Sequence, residues 1–179
     1  MQSRSLLALA LALAALFRAG EARAYEDQVE IAGAFGYAGR LAGADDFQGP
    51  DHGFGFSGTL GFGLNDAWSL RATGLGQVFV PEPRFRRSAL LFETTYALDV
   101  LRVVPVLGVG VGAALEGHRG VREFAPAFSA FVGLDVLVTR AFLLGPELRL
   151  LAVPFGGIDG SGGISLSASL RLAYLWDRF

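Results

Sequence analysis

The chain has 179 residues, no cysteine and a formal net charge of -2, with 15 basic and 17 acidic residues. This charge balance excludes a general nucleic-acid binder, and the lack of cysteine excludes both a disulfide framework and a lipid-modified N-terminal cysteine. Hydrophobic residues make up 52% of the chain. After residue 24, however, no window of 18 residues is continuously apolar, which excludes helical membrane spans.

The N-terminus has the three parts of an export signal. Arg4 precedes an apolar stretch from Leu6 to Phe17, and Ala22-Arg23-Ala24 forms a small-x-small cleavage site. A membrane anchor would need about 20 apolar residues, and charged residues interrupt this run too early. The sequence therefore predicts a signal peptide over residues 1–24 and one mature domain over residues 25–179.

Four segments in the first half of the mature chain alternate large apolar residues with small or polar ones. In chain order, the apolar residues are Val29, Ile31, Phe35 and Tyr37; Phe54, Phe56, Leu60 and Phe62; Leu70, Val78 and Val80; and Leu90, Phe92, Tyr96 and Leu98. This period of two predicts β-strands with two different faces. Polar or proline-containing stretches predict loops at 41–52 and 81–87, and Asn65-Asp66 predicts a tight turn.

Four further segments follow the same rule. Their apolar residues are Val103, Leu107, Val109 and Val111; Phe128, Val132, Leu134 and Val136; Phe142, Leu144, Leu148 and Leu150; and Ile164, Leu166, Ala168, Leu170, Leu172, Tyr174 and Trp176. Loops are predicted at 116–124 and 153–163, and a turn at Thr139-Arg140. Pro146 would remove a hydrogen-bond donor from the seventh strand, so we expect a bulge or a shifted register there.

Eight alternating segments, with long and short connections in turn, predict an all-β, eight-stranded, antiparallel up-and-down transmembrane β-barrel. A soluble lipocalin-like barrel would use the same alternation with the apolar face inside. The interior of an eight-stranded barrel is too narrow for the large apolar set, whereas the small and polar set fills it. The apolar face is therefore predicted to contact lipid, and the location to be the outer membrane.

Several short stretches, in this order, resemble the small eight-stranded outer-membrane barrels of the OmpA transmembrane-domain and OmpX type. They are residues 65–71, 105–112, 133–135 and 145–149, together with the terminal Phe179. The resemblance covers the mature chain. It implies contact with the outer-membrane assembly machinery during biogenesis through C-terminal aromatic residues, here Tyr174, Trp176 and Phe179, and we expect a monomer.

Seven charged residues are predicted to point into the lumen. They are Glu30, Arg71, Glu93, Asp135, Glu147, Arg149 and Arg171. Unpaired charges in so narrow a space are costly, so we expect ion pairs that fill the lumen, including one between Glu147 and Arg171. A filled lumen favours a structural or surface-interaction role. A narrow small-solute pore is the alternative, because the fifth strand offers mostly glycine inside.

Motifs for catalysis or cofactors are weak in this sequence. Residues 53–58 match a dinucleotide fingerprint by letter, but no helix follows them. Neither His52 nor His118 has a serine two residues later, so a lipid-modifying enzyme is a distant third reading. An acidic loop, formed by Asp45, Asp46, Asp51 and His52, has spacing typical of no metal loop. We predict no catalysis, cofactor or metal.

Arg84, Arg86 and Arg87 cluster in the predicted loop 81–87. Arginine forks suit phosphate, and an outer-membrane loop would face the phosphates of lipopolysaccharide. The sequence therefore predicts that these three residues contact lipopolysaccharide, with ordinary surface charge as the alternative. The expected partners are outer-membrane lipid and lipopolysaccharide, and no nucleic acid.

Overall fold

The computed structural model describes residues 28–42, 52–80, 85–98, 103–118, 121–139, 141–155 and 163–177. The predicted signal peptide lies outside the described residues, as do Asp45, Asp46 and Asp51 of the acidic loop. The described chain forms strands β1 (Gln28–Ala42), β2 (His52–Gly63), β3 (Trp68–Val80), β4 (Arg86–Ala97), β5 (Val103–His118), β6 (Val121–Leu137), β7 (Phe142–Val153) and β8 (Gly163–Asp177). No helix in this part of the chain is long and apolar enough to cross a membrane.

The eight strands form a closed antiparallel barrel in chain order, because β1 pairs with β8 as well as with β2. The predicted fold class is therefore confirmed. Each strand has 12 to 17 residues. A tilted strand needs about 9–11 residues to span the hydrocarbon core of a bilayer, so all eight are long enough.

Side chains alternate between the outer surface and the lumen as the sequence pattern predicts. The apolar residues predicted to face outward lie on the outer surface, where Phe35 is 62% exposed and Phe92 64%. The opposite set is buried inside the barrel. The lumen also contains large apolar side chains, among them Phe79, Leu91, Phe131, Leu143 and Leu151.

Short turns connect strands at the end of the barrel where β1 begins. Between β2 and β3, the Asn65 Oδ1 atom accepts hydrogen bonds from the backbone N–H groups of Ala67 and Trp68, at 3.0 and 2.8 Å. Between β6 and β7, the Thr139 hydroxyl accepts hydrogen bonds from Ala141 and Phe142. A polar side chain thus satisfies backbone donors in each turn, as the turn residues predicted.

The connection between β5 and β6 differs from its prediction. The stretch 116–124 was expected to be a loop, but β5 continues to His118 and β6 starts at Val121. Leu115 pairs with Phe124 and Gly117 with Arg122 in an unbroken hairpin. Charged residues are common in loops, which is why a loop was predicted here. In the structure, Glu116, Arg122 and Glu123 belong to a regular antiparallel ladder. His52, also predicted in a loop, is the first residue of β2.

Pro146 causes neither a bulge nor a shifted register. Gly133 pairs with Glu147 and Val136 with Leu144, so the register between β6 and β7 is the same on both sides of the proline. Pairing with β8 is continuous along β7. The expected bulge or register shift was therefore wrong, although the pairing of β6 with β7 is interrupted at Leu134 and Asp135, opposite Pro146 and Gly145. The neighbouring Gly145 lies so close to the backbone oxygen of Leu134 that a Cβ atom would collide with it. Because glycine has no side chain, β6 and β7 can approach each other closely beside the missing donor.

Candidate functional site

The structure brings the seven predicted lumen charges together inside the barrel. They come from six strands, β1, β3, β4, β6, β7 and β8, and each is between 2% and 6% exposed. Ion pairs and hydrogen bonds divide them into two groups, which we call the lower and the middle charge group. Burial at this level requires such pairing, because an isolated charge in a low dielectric is strongly disfavoured.

The lower charge group contains two carboxylates and two guanidinium groups. Glu30 Oε2 lies 2.8 Å from Arg71 Nη2, and Glu30 Oε1 lies 2.6 Å from Arg171 Nη2. Arg171 Nη1 also donates to Asp135 Oδ2 at 2.5 Å. This group is neutral, and it links β1, β3, β6 and β8 across the lumen.

The middle charge group consists of Glu93, Glu147 and Arg149. Arg149 donates to Glu93 through both Nη atoms and to Glu147 Oε1 through Nε, at 3.0 Å in the latter case. The hydroxyl groups of Thr73 and Ser129 donate to Glu93 at 2.7 and 2.8 Å. Four donors from three side chains thus saturate the Glu93 carboxylate.

The structure contradicts one predicted ion pair and adds an aromatic ring to the middle charge group. The predicted ion pair between Glu147 and Arg171 was wrong, because the register pairs Glu147 with Ser169 and Arg171 with Gly145. Phe131, which the sequence analysis did not assign, lies in the lumen with the Arg149 guanidinium 4.5 Å from its ring centroid. Cations over an aromatic face are attracted to it, so this ring supports the charge group as well as filling space.

A third polar group, which we call the mouth pair, lies nearer the end of the barrel with the longer connections. Arg87 Nη2 lies 2.5 Å from Glu116 Oε1, and both side chains are nearly fully buried. Arg87 also donates to Ser165 at 3.1 Å, and the Ser165 hydroxyl donates to Gln77 at 3.0 Å. The prediction that Arg87 is an exposed loop residue was wrong, since Arg87 is 1% exposed and faces the lumen.

One apolar layer separates the middle charge group from the mouth pair. On β3, the inward residues from Arg71 onward are Arg71, Thr73, Leu75, Gln77 and Phe79. Leu75 belongs to a buried apolar cluster that also contains Ala89, Leu91, Ala114, Ala125, Ala127, Leu151 and Val153. This layer lies between the middle charge group and the mouth pair. Phe79 and Phe85, with ring centroids 5.7 Å apart, cover the mouth pair.

Two exposed arginines lie on the outer surface at the same end. Arg86 pairs with Gly117, and Gly117 pairs with Arg122, so glycine alone stands between the two side chains. Two strand spacings separate the arginines by about 10 Å. No carboxylate among the described residues forms an ion pair with either. We call this arrangement the rim row. Arg84, the third predicted contact, lies outside the described residues.

No family model matches the sequence, and no curated protein sequence matches it. Among solved structures, the barrel is similar to Neisserial surface protein A, with a TM-score of 0.66 and 16% identity over 82% of this chain and 95% of that chain. It is similar to the outer membrane protein OprG from Pseudomonas aeruginosa, with a TM-score of 0.64 and 9% identity over 86% of this chain and 98% of that one. The chain has the fold of the small eight-stranded outer-membrane β-barrels. Ail of Yersinia pestis has this fold too, with a TM-score of 0.51 and 15% identity over 84% and 99% of the two chains.

In this outer-membrane barrel fold, aromatic residues lie at the short-turn end of the outer surface. Trp68 packs against Tyr96 with ring centroids 4.9 Å apart, and Phe142 against Tyr174 at 5.1 Å. Trp176 is 59% exposed nearby on β8. Such aromatic rings are typical of the membrane interface. Phe179 lies outside the described residues, so an assembly signal formed by Tyr174, Trp176 and Phe179 stays a prediction.

Proposed function

We propose that the chain is exported by the signal peptide 1–24, spans the outer membrane as a monomeric barrel, and has a structural role in which its outer rim contacts the phosphates of lipopolysaccharide. The rim row of Arg86, Gly117 and Arg122 carries this proposal. Catalysis and bulk transport are not part of the proposed role. Assembly would use the outer-membrane assembly machinery.

The outer surface supports insertion in a membrane. Large apolar side chains stand exposed on all eight strands, including Tyr37, Phe56, Leu90, Val109 and Leu170, each at least 54% exposed. An exposed apolar surface of this extent is unfavourable in water, whereas the closed barrel leaves no free strand edge for lipid to meet. The barrel is therefore suited to a lipid environment.

The lumen supports a role other than transport. Three polar groups and the apolar layer between them occupy the inside of the wall, and the ion pairs within the groups hold side chains from opposite strands together. Solutes or ions would have to break buried ion pairs and cross an apolar layer, and both steps are costly. The lumen therefore works better as a plug than as a pore.

His52 gives no support to a catalytic role. His52 lies at the start of β2, is exposed, and has no hydrogen bond to a hydroxyl group of a described residue. Nucleophilic catalysis needs a base within hydrogen-bond reach of its nucleophile. In addition, no group of three or more His, Asp or Glu residues in the described part of the chain is arranged to hold a metal ion.

The position of the rim row on the outer surface favours lipid phosphate as its partner. On β4, the outward residues run from Phe92 and Leu90 to Arg86, and on β6 from Phe128 and Phe124 to Arg122. Both arginines therefore lie at the edge of the apolar surface, where headgroup phosphates of the outer leaflet would be. Planar guanidinium groups bind phosphate oxygens through two hydrogen bonds. Ail has been crystallised with the heparin analogue sucrose octasulfate, a polyanion.

The test uses the double variant Arg86→Ser with Arg122→Ser, folded into phospholipid vesicles with and without lipopolysaccharide. We expect the variant to fold as the parent does, with the usual difference in migration between unboiled and boiled gel samples. Its binding to lipopolysaccharide should be weaker, with the largest loss at low salt, where charge interactions are least screened. Glu123→Ser is the matched control, because Glu123 is exposed on the same hairpin but carries the opposite charge.

Two results would contradict the proposed role of the barrel, and a third would contradict its membrane location. One is unchanged lipopolysaccharide binding in the double arginine variant while the control also binds normally. The other is a steady large conductance of the parent barrel in planar bilayers, which would favour the alternative of a small-solute pore. Recovery of the folded chain in the soluble periplasmic fraction would contradict the proposed location in the outer membrane.

A further inference from the structure

The rim row places two positive charges side by side on the outer surface. Arg86 on β4 and Arg122 on β6 flank Gly117 on β5 in a continuous register. The carboxylates of this hairpin, Glu116 and Glu123, stand opposite each other and alternate with the row, so they lie on the inner side of the wall. Like charges on neighbouring strands repel each other. An anion between the two arginines would relieve this repulsion.

Gly117 leaves open space between the two arginines. A Cβ atom at this position would lie 3.9 Å from the backbone oxygens of Arg86 and Val121, which is an ordinary contact distance. The packing of the barrel therefore does not require a glycine here. Glycine inside a strand weakens the strand, and it often marks a place where a ligand approaches the backbone closely. The space over Gly117 is thus suited to a ligand group that both arginine side chains reach.

The chemistry of two guanidinium groups favours one form of phosphate. Each guanidinium presents its N–H donors in a planar fork that binds two phosphate oxygens. A phosphate monoester carries a charge of about -1.5 to -2 at neutral pH and has three terminal oxygens. Two arginines therefore match both its charge and its oxygens. A phosphodiester has a single negative charge and two terminal oxygens, so one arginine already satisfies it.

Apolar side chains lie directly below the rim row on the outer surface. On the next outward row, Ser88 pairs with Leu115, and Leu115 pairs with Phe124, which is 77% exposed. Two residues along a strand correspond to about 7 Å. An anion at the rim row therefore has apolar surface beneath it, where an acyl chain would lie. A lipid headgroup fits this arrangement better than a soluble phosphate does.

We propose that the rim row selects phosphate monoesters over phosphodiesters, because the guanidinium groups of Arg86 and Arg122 close on one dianionic phosphate that lies over Gly117. This inference rests on the proposed contact with lipopolysaccharide, whose lipid part carries its phosphates as monoesters, and it specifies which phosphate is bound and how. Ordinary phospholipids, whose headgroups are phosphodiesters, would bind more weakly at the same position.

The experiment compares two lipids that differ by one methyl group on the phosphate, namely phosphatidic acid, a monoester, and phosphatidylmethanol, a diester. The full chain is folded in micelles of a neutral detergent containing either lipid, and native mass spectrometry counts the lipids bound per barrel. At about pH 8, above the second phosphate pKa of about 6, we expect up to about fivefold tighter binding of phosphatidic acid, the value of one additional exposed charge pair. At about pH 5 the monoester also has one charge, so this preference should disappear.

Three substitutions should remove the preference at the higher pH. Arg86→Ser and Arg122→Ser each leave a single guanidinium, which binds both lipids alike. Gly117→Val keeps both charges but fills the space between them, so it should weaken the binding of phosphatidic acid and leave that of phosphatidylmethanol unchanged. Gly58→Val is the matched control, because Gly58 also faces outward, has no neighbour within 4 Å of an added Cβ atom and lies far from the rim row. If Gly117→Val does not fold, Gly117→Ala provides the same comparison with a smaller loss.

Equal binding of the two lipids by the parent chain at about pH 8 would overturn this inference. If the arginine variants then weakened the binding of both lipids equally, the contact with lipopolysaccharide would still stand without selection for monoesters. Unchanged binding of both lipids in the arginine variants would contradict the proposed function as well. A preference that survives in the folded glycine variant would overturn the position of the phosphate over Gly117.

Discussion

Arg149 on β7 and Glu93 on β4 form an ion pair across the lumen, although β5 and β6 lie between them along the wall. Both Nη atoms of Arg149 donate to Glu93, and the Phe131 ring lies beneath the guanidinium. Each partner is at most 3% exposed. The pair therefore connects distant parts of the barrel in a way that backbone hydrogen bonds between neighbouring strands do not.

Arg149→Met should lower the free energy of unfolding by about 3–5 kcal/mol, because it leaves the Glu93 and Glu147 carboxylates buried without a counter-charge. Urea unfolding in lipid vesicles, followed by tryptophan fluorescence, measures the loss. In a double-mutant cycle with Glu93→Gln, residues that share a network typically show coupling of about 0.5–3 kcal/mol. Strictly additive losses would mean that the two side chains do not interact.

The absence of a side chain at Gly110 makes room for Glu93 and Ser129 in the middle charge group. A Cβ atom there would lie 2.6 Å from Glu93 Cγ and 2.8 Å from the Ser129 hydroxyl oxygen. Gly110→Ala should therefore reduce stability by about 1–3 kcal/mol through overpacking. Gly58→Ala is the control, since nothing lies within 4 Å of its added Cβ atom. Equal effects of the two substitutions on urea unfolding would argue against this role for Gly110.

The face of each strand was predictable because a period of two assigns every side chain to one side of the wall. Glu30, Glu93 and Arg171 were identified as lumen residues in this way, and the structure places them there. Proline positions were harder, because Pro146 removes a donor without changing the register of its neighbours. A proline in the sequence thus shows where the ladder lacks a hydrogen-bond donor, but not whether the strand bulges or changes its register there.

Pairing partners depend on register and barrel closure, which the sequence pattern does not give. Arg87 and Glu116 lie in charged stretches that are typical of loops, and they meet only because β4 and β5 continue past the expected ends. Phe131 shares a face with small residues. Its ring fits because Gly108 has no side chain, and a Cβ atom there would collide with the ring.

Substitutions of the neighbouring Arg86 and Arg87 on β4 test whether Arg87 faces the lumen. Arg87→Ser should lower the free energy of unfolding by about 3–5 kcal/mol, because Glu116 would remain buried without its partner. Arg86→Ser should change it by no more than about 0.5 kcal/mol, as is usual for exposed positions. The same urea titration in vesicles measures both. Similar losses in the two variants would contradict the inward position of Arg87.

The depth of the outer surface in the bilayer can be tested with arginine substitutions at two positions of the outer face. Leu148 is 48% exposed near the middle of β7, whereas Val103 is 46% exposed at the first residue of β5. Leu148→Arg should cost about 2–4 kcal/mol in lipid vesicles, and Val103→Arg about 0–1 kcal/mol, because the penalty falls from the bilayer midplane towards the interface. Urea unfolding in vesicles again gives both values. Since the two residues have nearly the same exposure, equal costs would show that burial in lipid does not distinguish them, and a soluble location for the barrel would then have to be considered.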